Sequence, residues 1–415
     1  MTVFRRRASG VALGLAATLL LAACGSGTDD ARPPAQASSS AGTNGGSAAT
    51  AGSHSDAGSH SDAGSPSQAS VPPLRPSERR VALAMPAAYT PSAPYGAGTD
   101  DYRCFVLDPK LSQDAFITGL DIAPGDPDVV HHVILFRAPP ETVAAVAAVD
   151  AADPGEGWTC FGDAGVRTGG GPVGGLEDAP WLGAWAPGGS EQVMSDGVGV
   201  PLARGSRVIM QVHYNLLAGT APDLTSARLR LTPASEDLTA LRTMLFPAPV
   251  ELPCRPGRGS GARCERDAAV KDAQRRFGDE AGLAADYLHL LCGPVRPGPV
   301  QQCERTLQAP ATVRAAAGHM HLLGRTVRID VNPGTPRARK LLDITAWNFD
   351  DQGATPVDPV TLRAGDTVRV TCRHDQRLRD LLPSFEGQPE RYVVWGDGTT
   401  DEMCLGLLLV TDPPG

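Results

Sequence analysis

Glycine and proline interrupt this chain so often that long regular elements are largely ruled out. Its 415 residues contain 47 Gly and 37 Pro, and from about Val81 onward only short runs of β-branched and aromatic residues stand between them. Val129-Val130-His131-His132-Val133-Ile134-Leu135-Phe136 is one such run. Arg207-Val208-Ile209-Met210-Gln211-Val212-His213-Tyr214 is another, and Ala227-Arg228-Leu229-Arg230-Leu231 alternates cleanly. In the second half come Val327-Arg328-Ile329-Asp330-Val331, Thr367-Val368-Arg369-Val370-Thr371-Cys372 and the stretch from Cys404 to Val410. Short strands separated by turn residues predict an all-β fold of antiparallel sandwiches. One helix is expected, from residue 265 to about 291, carrying apolar Ala268, Ala269, Ala273, Phe277 and Leu288. It lies between Cys254/Cys264 and Cys292/Cys303 and reads as an insertion pinned by local bridges. Proximity suggests Cys254–Cys264 and Cys292–Cys303, with crossed pairing around the helix left open.

The N-terminus reads as an export signal over residues 1–23. Arg5-Arg6-Arg7 supplies a charged start, and Val11 to Leu21 an apolar core too short to span a bilayer. It closes on Leu21-Ala22-Ala23-Cys24, the pattern of a bacterial lipobox, which implies cleavage before Cys24 and a lipid on its thiol. The expected location is the bacterial cell envelope, outside the cytoplasmic membrane and lipid-anchored. Residues 24–78 are rich in Ala, Gly, Ser and Pro with almost no large apolar residue, so a disordered tether is expected. A Ser-His-Ser-Asp-Ala-Gly repeat within it carries His54 and His60, read as linker drift rather than ligands. The remaining length, roughly 335 residues, suits two domains, 79–235 and 236–415. A net charge of −9 and the lack of a basic aromatic patch argue against nucleic acid. Apart from Cys24 there are eight Cys, an even number that in an exported protein reads as four disulfides.

Of nine His, five fall in three short stretches: Val130-His131-His132-Val133, Gln211-Val212-His213-Tyr214 and Gly318-His319-Met320-His321. Asp401-Glu402-Met403-Cys404 adds a thioether near the C-terminus. Imidazoles with a thioether make a donor set soft enough for copper, Cu(I) in particular. On a strand His319 and His321 project to the same side and can grip one ion, and Gln211 and His213 share a face likewise. Neighbours such as His131 and His132 point oppositely on a regular strand, so both reach one metal only at a strand end or bulge. His289 and His374 read as structural.

In these residues the chain resembles the copper type II, ascorbate-dependent monooxygenases, the family of peptidylglycine α-hydroxylating monooxygenase and dopamine β-monooxygenase. The likeness covers most of residues 99–411: the His-His strand, Trp181-Leu182-Gly183-Ala184-Trp185-Ala186-Pro187-Gly188-Gly189, Gln211-Val212-His213-Tyr214, His319-Met320-His321-Leu322-Leu323-Gly324-Arg325, and Gly398-Thr399-Thr400-Asp401-Glu402-Met403-Cys404. The resemblance implies two jelly-roll-like sandwiches facing each other across a wet cleft, with two copper ions per chain. His131, His132 and His213 would hold the electron-donating ion in the first domain. His319, His321 and Met403 would hold the O2-activating ion in the second. Ascorbate or another one-electron reductant would be the co-substrate, and a small molecule would be hydroxylated at a C–H bond. The resemblance also implies disulfides Cys104–Cys160 and Cys372–Cys404, and Gln211 as a cleft residue beside the first ion.

The chain departs from the peptide-amidating branch where that branch grips its substrate's carboxylate. Ala317 stands in place of an Arg, and Leu405 and Leu407 in place of an Asn and a Tyr. Only Arg314 or Arg325 could replace these groups, by a different path. Two other functions compete. One is a non-catalytic envelope lipoprotein that buffers or delivers copper. The other is a zinc hydrolase, for which Asp401 and Glu402 are the nearby candidates for a general base.

Overall fold

The computed structural model describes residues 72–413 apart from 97, 163 and 166–174. The export signal, Cys24 and the His54/His60 repeat lie outside the described residues. Every run read as a strand forms one. The His-His run becomes strand Val130–Ala138, and its neighbour on the sheet is Arg207–Asn215. The others become Ser226–Pro233, Gly324–Val331, Thr367–His374 and Leu405–Thr411.

The fold is all-β, built of packed, mainly antiparallel sheets. A five-stranded sheet holds Asp100–Leu107, Val130–Ala138 and Arg207–Asn215 at its centre. A four-stranded sheet contains Gly324–Val331 and Thr367–His374. Both pack on a nine-stranded sheet that runs through the two halves of the chain. Phe105, Val133, Met210 and Val212 meet Ile117, Leu120, Leu229 and Leu231 in one core. Ile329, Val331, Val368 and Val370 meet Phe246, Val313, Leu408 and Val410 in another. The alternation of strand side chains puts one apolar row of each sheet inward, and burying these rows supplies the main driving force.

The long sheet joins the halves through a short parallel pairing of Val198 with Thr239 and Gly199 with Ala240. Further links cross between the halves. Tyr102 Oη donates to the Asp397 carbonyl at 2.7 Å. Asp100 Oδ1 accepts from the amide and hydroxyl of Thr399 at 2.9 and 2.6 Å. The cleft implied by the resemblance is therefore bridged by hydrogen bonds.

Three expectations change. The single helix is two, Arg266–Phe277 and Asp279–Cys292, broken at Gly278 with φ of 88°. Residues in that left-handed region are nearly always Gly, so the break is fixed locally. A further helix, Val143–Ala152, occupies an Ala-rich stretch of the first half. The stretch expected to be tether through residue 78 ends in docked chain. Buried Arg230 donates to the Pro72 and Pro73 carbonyls at 2.5 and 3.1 Å, and Arg75 pairs with Glu78 at 2.9 Å. A buried guanidinium needs acceptors on several sides, and this segment provides them.

All four disulfides form as Cys104–Cys160, Cys254–Cys264, Cys292–Cys303 and Cys372–Cys404. The crossed alternative around the helices is excluded. Among the described residues no helix is long and apolar enough to cross a membrane.

Candidate metal centre

Adjacent His131 and His132 reach the same point because the strand is irregular there. Val130 pairs with Tyr214 and His132 with His213, so the register slips by one residue at His131. A bulge of this kind re-aims a side chain that regular pleating would send to the other face. His213, on the neighbouring strand, completes the group. The three Nδ1 atoms stand 3.1, 3.2 and 3.3 Å from one another.

That spacing suits a bound ion. Metal–nitrogen bonds of about 2.0–2.1 Å in a tetrahedral arrangement put ligand nitrogens about 3.3 Å apart. Without an ion the arrangement is frustrated. Each ring nitrogen is either a donor or an acceptor, so among three in mutual contact at least one pair must be alike. A cation at the centre satisfies all three lone pairs at once.

The surroundings fix which nitrogen faces inward. His213 Nε2 lies 2.9 Å from Asp100 Oδ1, a carboxylate that can only accept, so the proton sits on Nε2 and Nδ1 is bare. Burial opposes ionisation of Asp100, but the bonds from His213 and Thr399 outweigh it and hold the carboxyl below its usual range. Tyr102 stacks on the His213 ring, with centroids 4.0 Å apart. Burial, then the neighbouring imidazoles, pushes His131 and His132 well below the ordinary imidazole range. Burial lowers His213 too, against the pull of Asp100. All three are neutral at physiological pH.

The second group is built differently. His319 closes strand Ala311–His319, and His321 sits in the turn beyond it. Their rings are 5.2 Å apart at 84°. Gly318 and Gly406 face each other directly behind His319. A Cβ at Gly318 would meet Val327 Cγ1 at 2.4 Å, so glycine lets the sheets close up beneath the imidazole. His321 is buried, and neither ring nitrogen has a hydrogen-bond partner. Such orphaned polar atoms are rare and call for an explanation, for which a metal ion is one.

Met403 precedes Cys404, whose disulfide to Cys372 anchors it, and Leu405 pairs with His319. Met403 is buried, and its carbonyl faces His374 Nε2 at 3.3 Å. Fully buried Glu402 accepts the backbone N–H of His321 at 3.1 Å, tying the Met403 segment to the histidine turn. Asp401 is clamped by Arg276 at 2.7 and 2.8 Å and by Arg391 at 2.7 Å. Burial alone would raise its pKa, but the two guanidiniums hold it well below the usual carboxylate range. Both acidic residues are thus engaged in structural contacts. His289, between Glu251 Oε1 at 2.7 Å and the Gly293 carbonyl at 3.1 Å, has its ring nitrogens similarly engaged.

The two groups adjoin. The His132 and His319 rings are 6.0 Å apart, where the resemblance implied separation across solvent. A cavity of about 550 Å³ opens beside them, lined from both halves by His131, Asn215, Arg325, Trp347, Phe349 and Thr399 among others. Of the expected ligands only His131 lines it. Gln211 does not line it either. It is buried against the first disulfide, with Nε2 3.5 Å from the Cys160 carbonyl. Sequence reasoning missed Asp100, Tyr102, Phe349 and Gln352, each of which touches an imidazole from far along the chain.

No protein-family model matches this chain, and no curated protein matches it significantly. Among solved structures it is similar to a fucolectin from striped bass (Morone saxatilis) serum, at 10% identity over 77% of this chain and 85% of that one, with a TM-score of 0.18. A xanthan lyase from Paenibacillus matches at 12% identity and a TM-score of 0.18, over 80% of this chain but 25% of the lyase. An allantoicase matches at 11% identity over 74% and 80%, with a TM-score of 0.17. Likenesses this slight say nothing of function, and the fold class rests on the sheets themselves.

Proposed function

We propose that this chain is a copper-dependent monooxygenase with one ion held by His131, His132 and His213 and a second by His319, His321 and Met403. The observation that carries the reading is the convergence of three neutral imidazoles on their Nδ1 atoms beside a second pair in which neither ring nitrogen of buried His321 has a partner. Imidazole suits copper in both oxidation states, and a thioether favours Cu(I). Bound copper would supply one-electron transfer at the first site and dioxygen activation at the second.

The overall reaction balances as R–H + O2 + 2e⁻ + 2H⁺ giving R–OH + H2O, with ascorbate or another one-electron reductant as the electron source. The protein's own residues set the geometry. Asp100 holds the His213 tautomer, the bulge at His131 brings adjacent imidazoles together, and Glu402 fixes the turn that carries His321. Ala317 pairs with Leu407 and His319 with Leu405, so an apolar patch stands beside the second group on one face of the sheet. A carboxylate arriving there would lose its hydration without gaining a partner, which disfavours a peptidylglycine substrate. An apolar group at the reacting carbon fits better. The mature chain would be anchored through lipid on Cys24 in the cell envelope, at the end of the tether.

The competing reading is an envelope lipoprotein that binds copper without turnover. Oxygen uptake by the copper-loaded protein with ascorbate, across a panel of small apolar substrates, separates them. Substrate-dependent uptake with a hydroxylated product is expected. Stable binding of two ions with no uptake on any of them favours the carrier.

A further inference from the structure

The loop of residues 345–354, between strands Arg339–Ile344 and Thr355–Leu362, touches both imidazole groups. The Phe349 ring lies flat on His131, with centroids 4.1 Å apart and planes at 18°. Trp347 Nε1 donates to the His321 carbonyl at 3.2 Å. Gln352 makes two short contacts of 2.6 Å, one from its Oε1 to His319 Nδ1 and one from its Nε2 to the Phe349 carbonyl.

The second contact fixes the meaning of the first. A backbone carbonyl only accepts, so the amide NH2 of Gln352 faces Phe349 and its oxygen faces His319. His319 Nδ1 must then be the donor, and a neutral imidazole protonated there has its lone pair on Nε2. The first group turns its Nδ1 atoms toward one another, whereas His319 is left with Nε2. Partners of this kind orient metal-binding imidazoles and raise their basicity.

We propose that Gln352 is a positioning residue for both groups: it holds His319 as an Nε2 ligand and, through the Phe349 carbonyl, seats the ring that covers His131. This rests on reading His319 and His131 as metal ligands, but the tautomer it requires exists without metal. One amide thus connects two sites whose ligands come from different halves of the chain.

The test uses the full chain with isotope-labelled histidine, as wild type, Gln352→Leu and Gln352→Glu. Nitrogen shifts of the metal-free protein report the tautomer. Wild type should show His319 protonated on Nδ1. The Glu variant should keep that state because a carboxylate still accepts, and the Leu variant should move toward Nε2–H. Both variants lose the donor to Phe349, so both should shift the His131 ring signals. In a competitive Cu(I) titration, Gln352→Leu should weaken the second site by about 10–100-fold, and Gln352→Glu should hold near wild type. An unchanged tautomer in Gln352→Leu overturns the proposal, as does equal behaviour of the two variants at His319, or unmoved His131 ring signals in both. If wild type binds no copper while the tautomer responds as described, the positioning role stands and the metal reading falls.

Discussion

His131, His132 and His213 stand on two hydrogen-bonded strands in the middle of a sheet, and their inward nitrogens already meet within 3.3 Å. His319 and His321 stand at and just beyond the end of a strand, held by a loop amide and by a glutamate that caps their turn. The first group is set by backbone pairing and a buried carboxylate, and it needs little rearrangement to take an ion. The second, whose proposed third donor Met403 lies on a separate segment, depends on long-range contacts to keep its shape. Under the proposed function the difference would suit a division of labour, with a fixed site to pass electrons and a more adaptable one to admit a reactant.

The largest effect is expected at Met403. Met403→Ile keeps most of the volume and deletes the sulfur. The protein should retain Cu(II) at both sites, lose its Cu(I) preference at the second, and lose oxygen uptake, with a stability cost of no more than about 1.5 kcal/mol. Unchanged uptake would make Met403 simple core filling beside the Cys372–Cys404 bridge. Asp100→Asn acts on the first group through His213. It should weaken the first site by about 10–100-fold and leave the second alone, as read by titration of each site's spectrum. Equal weakening of both would mean the groups are not independently held.

The smallest effect is on the metal-free chain. Burial keeps His131 and His132 well below their ordinary range and pushes His319 down to about 3. Unfolded imidazoles titrate near 6.5, so below that pH the unfolded chain takes up protons that the folded chain refuses. Stability should therefore fall as pH drops from about 6.5 toward the folded values, by roughly 1 kcal/mol per imidazole at one pH unit below. Urea midpoints at pH 7.5 and 5.5 measure it. His132→Phe should reduce the loss, and an undiminished loss would place the sensitivity elsewhere.

Local pattern carried the strands and singled out the histidines that come together. The runs around His131, His213 and Leu405 announced themselves by composition, and the paired glycines and prolines marked their ends. The bulge at His131 was visible only as a conflict between adjacency and alternation, because its resolution depends on register with His213, 82 residues away. Gly278-Asp279 was a readable break inside the expected helix, and the Val143–Ala152 run, rich in the strongest helix former, was a readable helix. The continuous nine-stranded sheet was not legible, since pairing between strands far apart in sequence is fixed by packing. Asp100 and Gln352 were hidden for the same reason: each meets its imidazole across 113 and 33 residues, and nothing in their neighbours marks them.

The proposed function requires two separate ions on two ligand sets. Metal content of the purified, copper-loaded wild type, His131→Ala and His319→Ala tests it directly. Two ions per chain are expected in the wild type, with one lost in each variant and the remaining site spectroscopically intact. A single ion in the wild type, lost in both variants, would rule out two sites and assign the adjoining imidazoles to one shared centre.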